Sequence, residues 1–445
     1  MNIDVITAGE KLKEIRKKYK IKQYELSGDK FTRNMISMIE TDKAGLTKDT
    51  AEILIENIHR ICEERSIECD VTLEYLLESA EFQAKKICEG FIKLLNTAPE
   101  KVFESEFQKN VNEIQKLLDK YKLKKEKIII YTKLGEMFLE SCDFYRAYTY
   151  FLRAFESSSD LFNDPKLIDL IIQITYCCNH LKRYKETLDF SRLAYIYMDN
   201  IPQYQEYKLK FNNVKAYKNL KDYDFALNEL ENIEKIFKDK LNSDLLERIE
   251  ILILKANCFK EKGFYMDSLQ IHKKVLDLSE NYIEIYIVTL CNIIEIYIQM
   301  NDSKNLKEYI DKSIFCLKQY KELEDKKYSS EIYNDIGLGC YHINKFEMSK
   351  IYFNEALKEG KKYKKIDVIS SAIEKLLVIA IQNDCNNEVY DLKNQLLEVM
   401  SLHLMPINNF IIFEFIKYYN DIGDTETIND IVNFTKSMFS KLHSM

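Results

Sequence analysis

Apolar residues fall at helical spacing from the first turn of this chain. Leu12, Ile15 and Tyr19 mark one face of a helix, with Lys11, Lys13, Lys17 and Lys18 on the other. Ile21 and Leu26 mark a short second helix starting near Gln23, which Gly28-Asp29-Lys30 ends. Thr32 is placed to cap a third helix that buries Ile36 and Ile39 and leaves Arg33, Asn34 and Ser37 pointing outward. Thr47 caps a fourth, carrying Ile53, Leu54, Ile58 and Ile61. The polar run Glu68-Cys69-Asp70 predicts a boundary, and a fifth helix over about Leu73 to Leu95 leads onward.

Beyond about residue 125 the pattern repeats. Leu134-Gly135-x-x-Phe138 is followed by Phe144, Ala147, Phe151 and Ala154, and the same frame returns at Ile336-Gly337, Phe346, Ser349, Phe353 and Ala356. Weaker copies centre on Thr187, Ala226, Ser268 and Leu306. The equivalent positions 147, 187, 226, 268, 306 and 349 lie 40, 39, 42, 38 and 43 residues apart, and two degraded units follow around Val389 and Ile428. A small residue at the Ala147-type position lets the second helix (B) of a pair lie tightly on the first (A). The aromatic at the Phe151-type position fills the gap to the next pair. One pair cannot bury its apolar face alone, so such units stack. The frame resembles the tetratricopeptide pattern, with a period longer than its minimal 34 residues, which predicts longer helices or loops.

The chain has 445 residues, 46% apolar and 31% charged, with 10 Gly and 4 Pro. That scarcity predicts few turns with special backbone angles and short polar connections instead. The eleven Cys form no C-x-x-C pair and read as small apolar residues of a reducing cytoplasm. No secretory leader pattern is visible. The apolar stretch Tyr282–Met300 holds Glu284 and Glu295, which predicts a buried helix rather than a membrane span. The net charge of −7 is uneven: residues 9 to 33 carry nine Lys or Arg against four acids, a local +5, so the remainder sums to −12. A basic start on an acidic body suits an approach to phosphates. No phosphate-loop, dinucleotide or zinc-protease motif occurs, no cofactor or metal is implied, and the six His lie in different units, so no nucleophile is paired with a base. His272 stands at a packing position. The reading is not an enzyme.

The runs Gly9-Glu10-Lys11-Leu12-Lys13-Glu14-Ile15-Arg16, Gln23-Tyr24-Glu25-Leu26 and Arg33-Asn34-Met35-Ile36-Ser37-Met38-Ile39-Glu40 resemble the Cro/Xre helix-turn-helix family. Lys22 and Ser27 stand where Thr and Ala are usual, and the segment from Leu26 to Thr32 is one residue short. The resemblance implies DNA contacts from Gln23, Thr32, Arg33, Asn34 and Ser37. In such a helix Arg grips guanine and Asn grips adenine in the major groove. It also implies that Arg16 and Glu40 tie the first helix to the third.

In the repeats, A helices line the concave wall of a stack. Gln173, Asn212, Asn213, Asn257, Asn292 and Asn334 read as an amide ladder at similar depth, with Tyr217 beside it. Such a ladder can hold an extended peptide by its backbone. The expected architecture is therefore all-α: residues 1–68 a helix-turn-helix domain, 69–126 a linker helix and first hairpin, and 127–445 a right-handed tetratricopeptide-like superhelix. The combination resembles the RRNPP group of peptide-responsive regulators, and in composition its clostridial, RstA-like members. That resemblance implies a cytoplasmic homodimer on a double-stranded, two-half-site operator. A short signalling peptide would control it in quorum sensing, sporulation or virulence, with no membrane partner. The residues leave open a second reading, a repeat protein that captures a response regulator or kinase without binding DNA.

Overall fold

In the computed structural model these periodic segments are helices and, among the described residues, there is no strand. The structure describes residues 3–97, 105–158, 165–402, 404–406 and 409–443, so His403 lies outside it. The chain falls into two units, Met1–Leu220 and Lys221–Met445.

The first unit opens with α1 (Ala8–Lys18), α2 (Gln23–Ser27), α3 (Arg33–Glu40) and α4 (Lys48–Glu64). α3 and α4 start at the caps the sequence places, Thr32 and Thr47, and α1 starts at a third, Thr7, that it did not single out. The Thr7, Thr32 and Thr47 hydroxyls accept from the amides of Glu10, Met35 and Thr50, removing one orphan donor per helix. Gly28 ends α2 at φ 52°. Gly9 is needed for a different reason: a Cβ there would stand 2.0 Å from the Ile39 carbonyl oxygen, so α1 and α3 touch through backbone.

The predicted fifth helix is two. α5 (Leu73–Leu77) ends at Glu78, and α6 (Ala80–Thr97) begins after it. Nor does the bundle stop at residue 68. Asp70, inside the polar run, accepts from Lys18 and from the Tyr19 hydroxyl, and Val71 and Leu76 are buried with Leu12 and Leu54. The break is polar because it is pinned from outside, and the packed core continues to α5. A second core in this unit is built on α6, α7 (Ser105–Lys120), α8 (Lys124–Glu140), α9 (Phe144–Ser157) and α10 (Pro165–His180), followed by α11 (Tyr184–Tyr197) and α12 (Gln203–Asn219).

The second unit comprises α13 (Tyr223–Ile236), α14 (Lys238–Ser243), α15 (Leu245–Glu261), α16 (Tyr265–Leu278), α17 (Ile283–Gln299), α18 (Ser303–Tyr320), α19 (Ser329–His342), α20 (Phe346–Tyr363), α21 (Ile366–Gln382), α22 (Asn386–Ser401), α23 (Ile411–Asp421) and α24 (Thr425–His443). The apolar stretch around residue 290 is α17, buried along most of its length. No described helix is long and apolar enough to cross a membrane.

The fold is all-α, with tetratricopeptide-like hairpins in each unit. Their packing follows the small-residue frame. A Cβ on Gly135 would stand 2.6 Å from the Phe151 ring, and one on Gly337 2.9 Å from Phe353. Where the small position carries a hydroxyl, it bonds the carbonyl twelve residues earlier: Ser349 Oγ donates to Gly337 at 2.8 Å, Ser268 to Ala256 at 2.8 Å and Thr187 to Thr175 at 3.4 Å. The two degraded units are present as α21–α22, with Val389 fully buried, and α23–α24.

The turns overrule the expectation drawn from few glycines. Left-handed backbone occurs two residues before most B helices, at Cys142, Lys182, Lys221, Gly263, Asn301, Asn344, Asp384 and Gly423. Most of these are not glycine. The residue after the left-handed position donates to a carbonyl five residues back, as Asp143 does to Phe138 (2.9 Å) and Lys345 to Cys340 (2.9 Å). This closes the preceding helix and compensates the Cβ strain. Cys142 is exposed at such a turn, so not every cysteine is a core residue, although seven are buried.

Candidate functional site

Two surfaces assemble the residues singled out by sequence. The first is α3 with its surroundings. Ile36 and Ile39 point into the bundle, and this turns Arg33 and Asn34 fully outward and leaves Ser37 half-buried. Thr32 is exposed, but its oxygen is engaged in capping. Gln23 departs from the expected free contact: it is half-buried, and its amide donates to Glu40 at 2.9 Å.

Glu40 also receives both ends of the Arg16 guanidinium, at 2.5 and 3.0 Å. Burial works to raise the Glu40 pKa, yet the bonds from Arg16 and Gln23 outweigh it and hold the carboxyl below its ordinary range. This triad fixes α1, α2 and α3 in one register, so it positions Arg33 and Asn34 without reaching a ligand.

The basic segment is less free than its sum. Lys11, expected on the polar face, is 1% exposed. Its ammonium lies in the turn after α5, donating to the Tyr75 carbonyl at 2.9 Å and the Glu78 carboxylate at 3.1 Å. Three of the nine cations (Lys11, Arg16 and Lys18) have internal carboxylate partners. Lys13, Lys17, Lys20, Lys22, Lys30 and Arg33 remain exposed. Tyr24 was not singled out by sequence. It is exposed on α2 with the Lys22 ammonium over its ring, an amphipathic contact fit for a sugar-phosphate edge.

The second surface is the wall of A helices, taken in each unit separately. In the first unit, Gln173 is half-buried and lines a cavity of about 260 Å³ with Ile129, Thr132, Glu136, Asp169 and Leu170. Asn212 and Asn213 do not offer free amides. The Asn212 amide donates to the Thr175 hydroxyl at 2.9 Å, and the Asn213 side-chain oxygen accepts from Ser191 at 2.6 Å. Both are nearly buried and join α10, α11 and α12. Tyr217 is half-buried.

In the second unit, Asn257 and Asn292 are half-buried and Asn334 is 8% exposed. The side-chain oxygens of Asn257 and Asn334 are buried with no partner. The amides do not form a single row. Gln173, Asn212 and Asn292 stand fourteen positions before their small B-helix residues, whereas Asn257 and Asn334 stand eleven and fifteen before theirs. His272 fills the Phe151-type position of α16. It is completely buried, neither ring nitrogen has a partner, and burial pushes its pKa down to about 4. Among the described residues, no three His, Cys, Asp or Glu side chains converge on a metal-sized site.

The chain matches no family model and no curated protein. Among solved structures it is similar to the apo form of RapI, at 13% identity over 97% of this chain and 98% of that one, with a TM-score of 0.47. It is also similar to NprR in complex with its cognate peptide NprX (15% identity, 79% and 99% covered, TM-score 0.39). A third is PlcR of Bacillus thuringiensis in complex with the peptide PapR7 and DNA (13%, 83% and 97%, TM-score 0.27).

Proposed function

We propose that this chain is a sequence-specific DNA-binding regulator whose DNA affinity is set by a short peptide held on the A-helix wall. One observation carries the reading: the outward presentation of Arg33 and Asn34 on a capped third helix. Exposed Lys22 and Lys30 precede that helix, and a buried triad holds it in place. An α-helix presenting those types near its N-terminus can enter a major groove. Arg pairs with guanine, Asn with adenine, and the surrounding lysines meet phosphates. The sequence expectation of two half-sites follows if two copies act together, with heads roughly 34–36 Å apart.

The peptide part rests on the half-buried amides and the cavity beside Gln173, which offer donors and acceptors to an extended backbone. A peptide can change DNA affinity only by binding one arrangement of the hairpins better than another.

The test is a gel shift of the full chain on DNA from upstream of its own gene, at two salt concentrations. Salt-sensitive binding that Arg33→Ala weakens by about 1–3 kcal/mol supports the reading. Absence of binding at either salt rejects it and favours capture of a protein partner, a role in keeping with Lys11 and Arg16 being engaged inside the bundle.

A further inference from the structure

The end of α4 and the segment after it hold two cysteines side by side. Ser66 takes left-handed backbone (φ 53°), and the Ile67 amide reaches back to the Cys62 carbonyl at 2.9 Å. The chain then runs back along α4, because the ring of His59, one turn before Cys62, bonds the Val71 carbonyl at 2.8 Å. Cys69 lies midway between these two ties. Glu68 and Asp70 face out, whereas Cys69 and Val71 turn toward the helix and pack with the bundle core that contains Cys62. Both thiols are free, and they share a hydrogen bond. Cys62 is completely buried and Cys69 half-buried. Neither belongs to the two surfaces described above.

We propose that Cys62 and Cys69 form a redox modification site, a dithiol that hydrogen peroxide converts into an intramolecular disulfide. Cys69 meets the oxidant, since it alone of the pair reaches the surface. Its sulfur attacks the O–O bond, keeps one oxygen as a sulfenic acid and releases the other as water. The Cys62 sulfur then attacks the sulfenic sulfur. The S–O bond breaks, and the displaced hydroxide leaves with the Cys62 proton as a second water. The two thiols have lost two electrons and two hydrogens, and the peroxide has become two waters. Burial and the Cys69 thiol beside it push the Cys62 thiol up to about 11, so Cys62 keeps its proton until that last step. The resolving sulfur is already in place, so the second step needs no encounter. The new bond ties α4 to the segment that grips the α1–α2 turn, where Arg65 reaches the Lys20 carbonyl at 3.1 Å and Glu25 at 2.6 Å, and Asp70 accepts from Lys18 at 2.8 Å.

The experiment exposes the native full chain to hydrogen peroxide, alkylates the remaining thiols in denaturant and maps the digested peptides by mass spectrometry. Cys62 and Cys69 are expected to escape alkylation together, in peptides joined to each other and lighter by two hydrogens, and dithiothreitol should restore both. Cys142, exposed at its turn, is the internal control for the oxidant. It should stop at a sulfenic acid that dimedone traps. In Cys62→Ala the Cys69 sulfur loses its resolving partner and should give the same dimedone adduct, which the wild type lacks at that residue. Full alkylation of Cys62 and Cys69 in wild type whose Cys142 has been oxidised overturns the proposal. So does a disulfide that joins Cys69 to Cys142 or to a second chain. The wild-type map decides even if the variant fails to fold, and its covalent readout is independent of whether the chain binds DNA or peptide.

Discussion

His272→Phe should stabilise the second unit and remove part of its pH dependence. The imidazole stands sixteen residues after Ala256, at the position that phenylalanine fills in two other hairpins, Phe151 and Phe353, and both its nitrogens are buried without partners. Leaving a buried polar atom unsatisfied costs about 1–3 kcal/mol. Phe removes two such atoms. It adds volume over an alanine where the other two hairpins have glycine, an overpacking term of about 1–3 kcal/mol. The net expectation is a gain of about 1–2 kcal/mol at pH 7, or roughly 2–8 °C in a melt of a unit this size.

The pH term is sharper. In the folded chain this histidine takes its proton only near pH 4, whereas the unfolded chain takes it near pH 6.5. Between those values the unfolded state binds more protons, so stability falls as pH falls, by about 3 kcal/mol across the window. Urea denaturation of wild type and variant from pH 4 to 7, followed by circular dichroism, measures the difference in slope. Equal slopes would refute the account, because the ring would then have an unseen partner or reach water. A variant less stable than wild type at pH 7 would show that volume outweighs polarity at this site.

Three further outcomes follow from the geometry. Gly9→Ala drives a methyl into the Ile39 carbonyl. It should cost about 3 kcal/mol or more and abolish DNA binding, as thermal melts of the variant and a gel shift would show. Glu40→Gln leaves Arg16 without its carboxylate in a largely buried setting, at a cost of about 2–4 kcal/mol. It should weaken DNA binding although Glu40 reaches no surface, and unchanged affinity would remove the triad as a positioning device. Lys364→Gly, at φ 56°, should raise stability by about 0.5–1 kcal/mol, and Asn344→Gly by less, since Asn tolerates left-handed backbone better. Equal gains in chemical denaturation would contradict the turn analysis.

The hairpin frame was legible because its physics is local. A small residue and an aromatic sixteen positions later must touch, as Gly135 and Phe151 do, and no other spacing would serve. Helix starts were legible through their threonine caps for the same reason. The fate of Lys11 was not. Its side chain is buried by carbonyls more than sixty residues away, which one helix's periodicity cannot reveal. Gln23, Asn212 and Asn213 misled in a related way. An amide on a helix face looks the same in sequence whether it meets a ligand or a neighbouring helix, and here Glu40, Thr175 and Ser191 are the neighbours. Most of the left-handed turns were missed because, apart from Gly263 and Gly423, the chain builds them from Lys, Cys, Asn and Asp, of which the first two announce no backbone angle.

Those turns bear on how such a chain can diverge. The main chain itself closes most of these bends, through an amide that reaches back five residues, so the letter written at the bend is nearly immaterial: the difference between lysine and glycine is on the order of 1 kcal/mol. Duplicated hairpins can therefore lose all resemblance at their corners while superposing in space. Ancestry would persist in the spacing between small and aromatic positions long after it had faded from the loops.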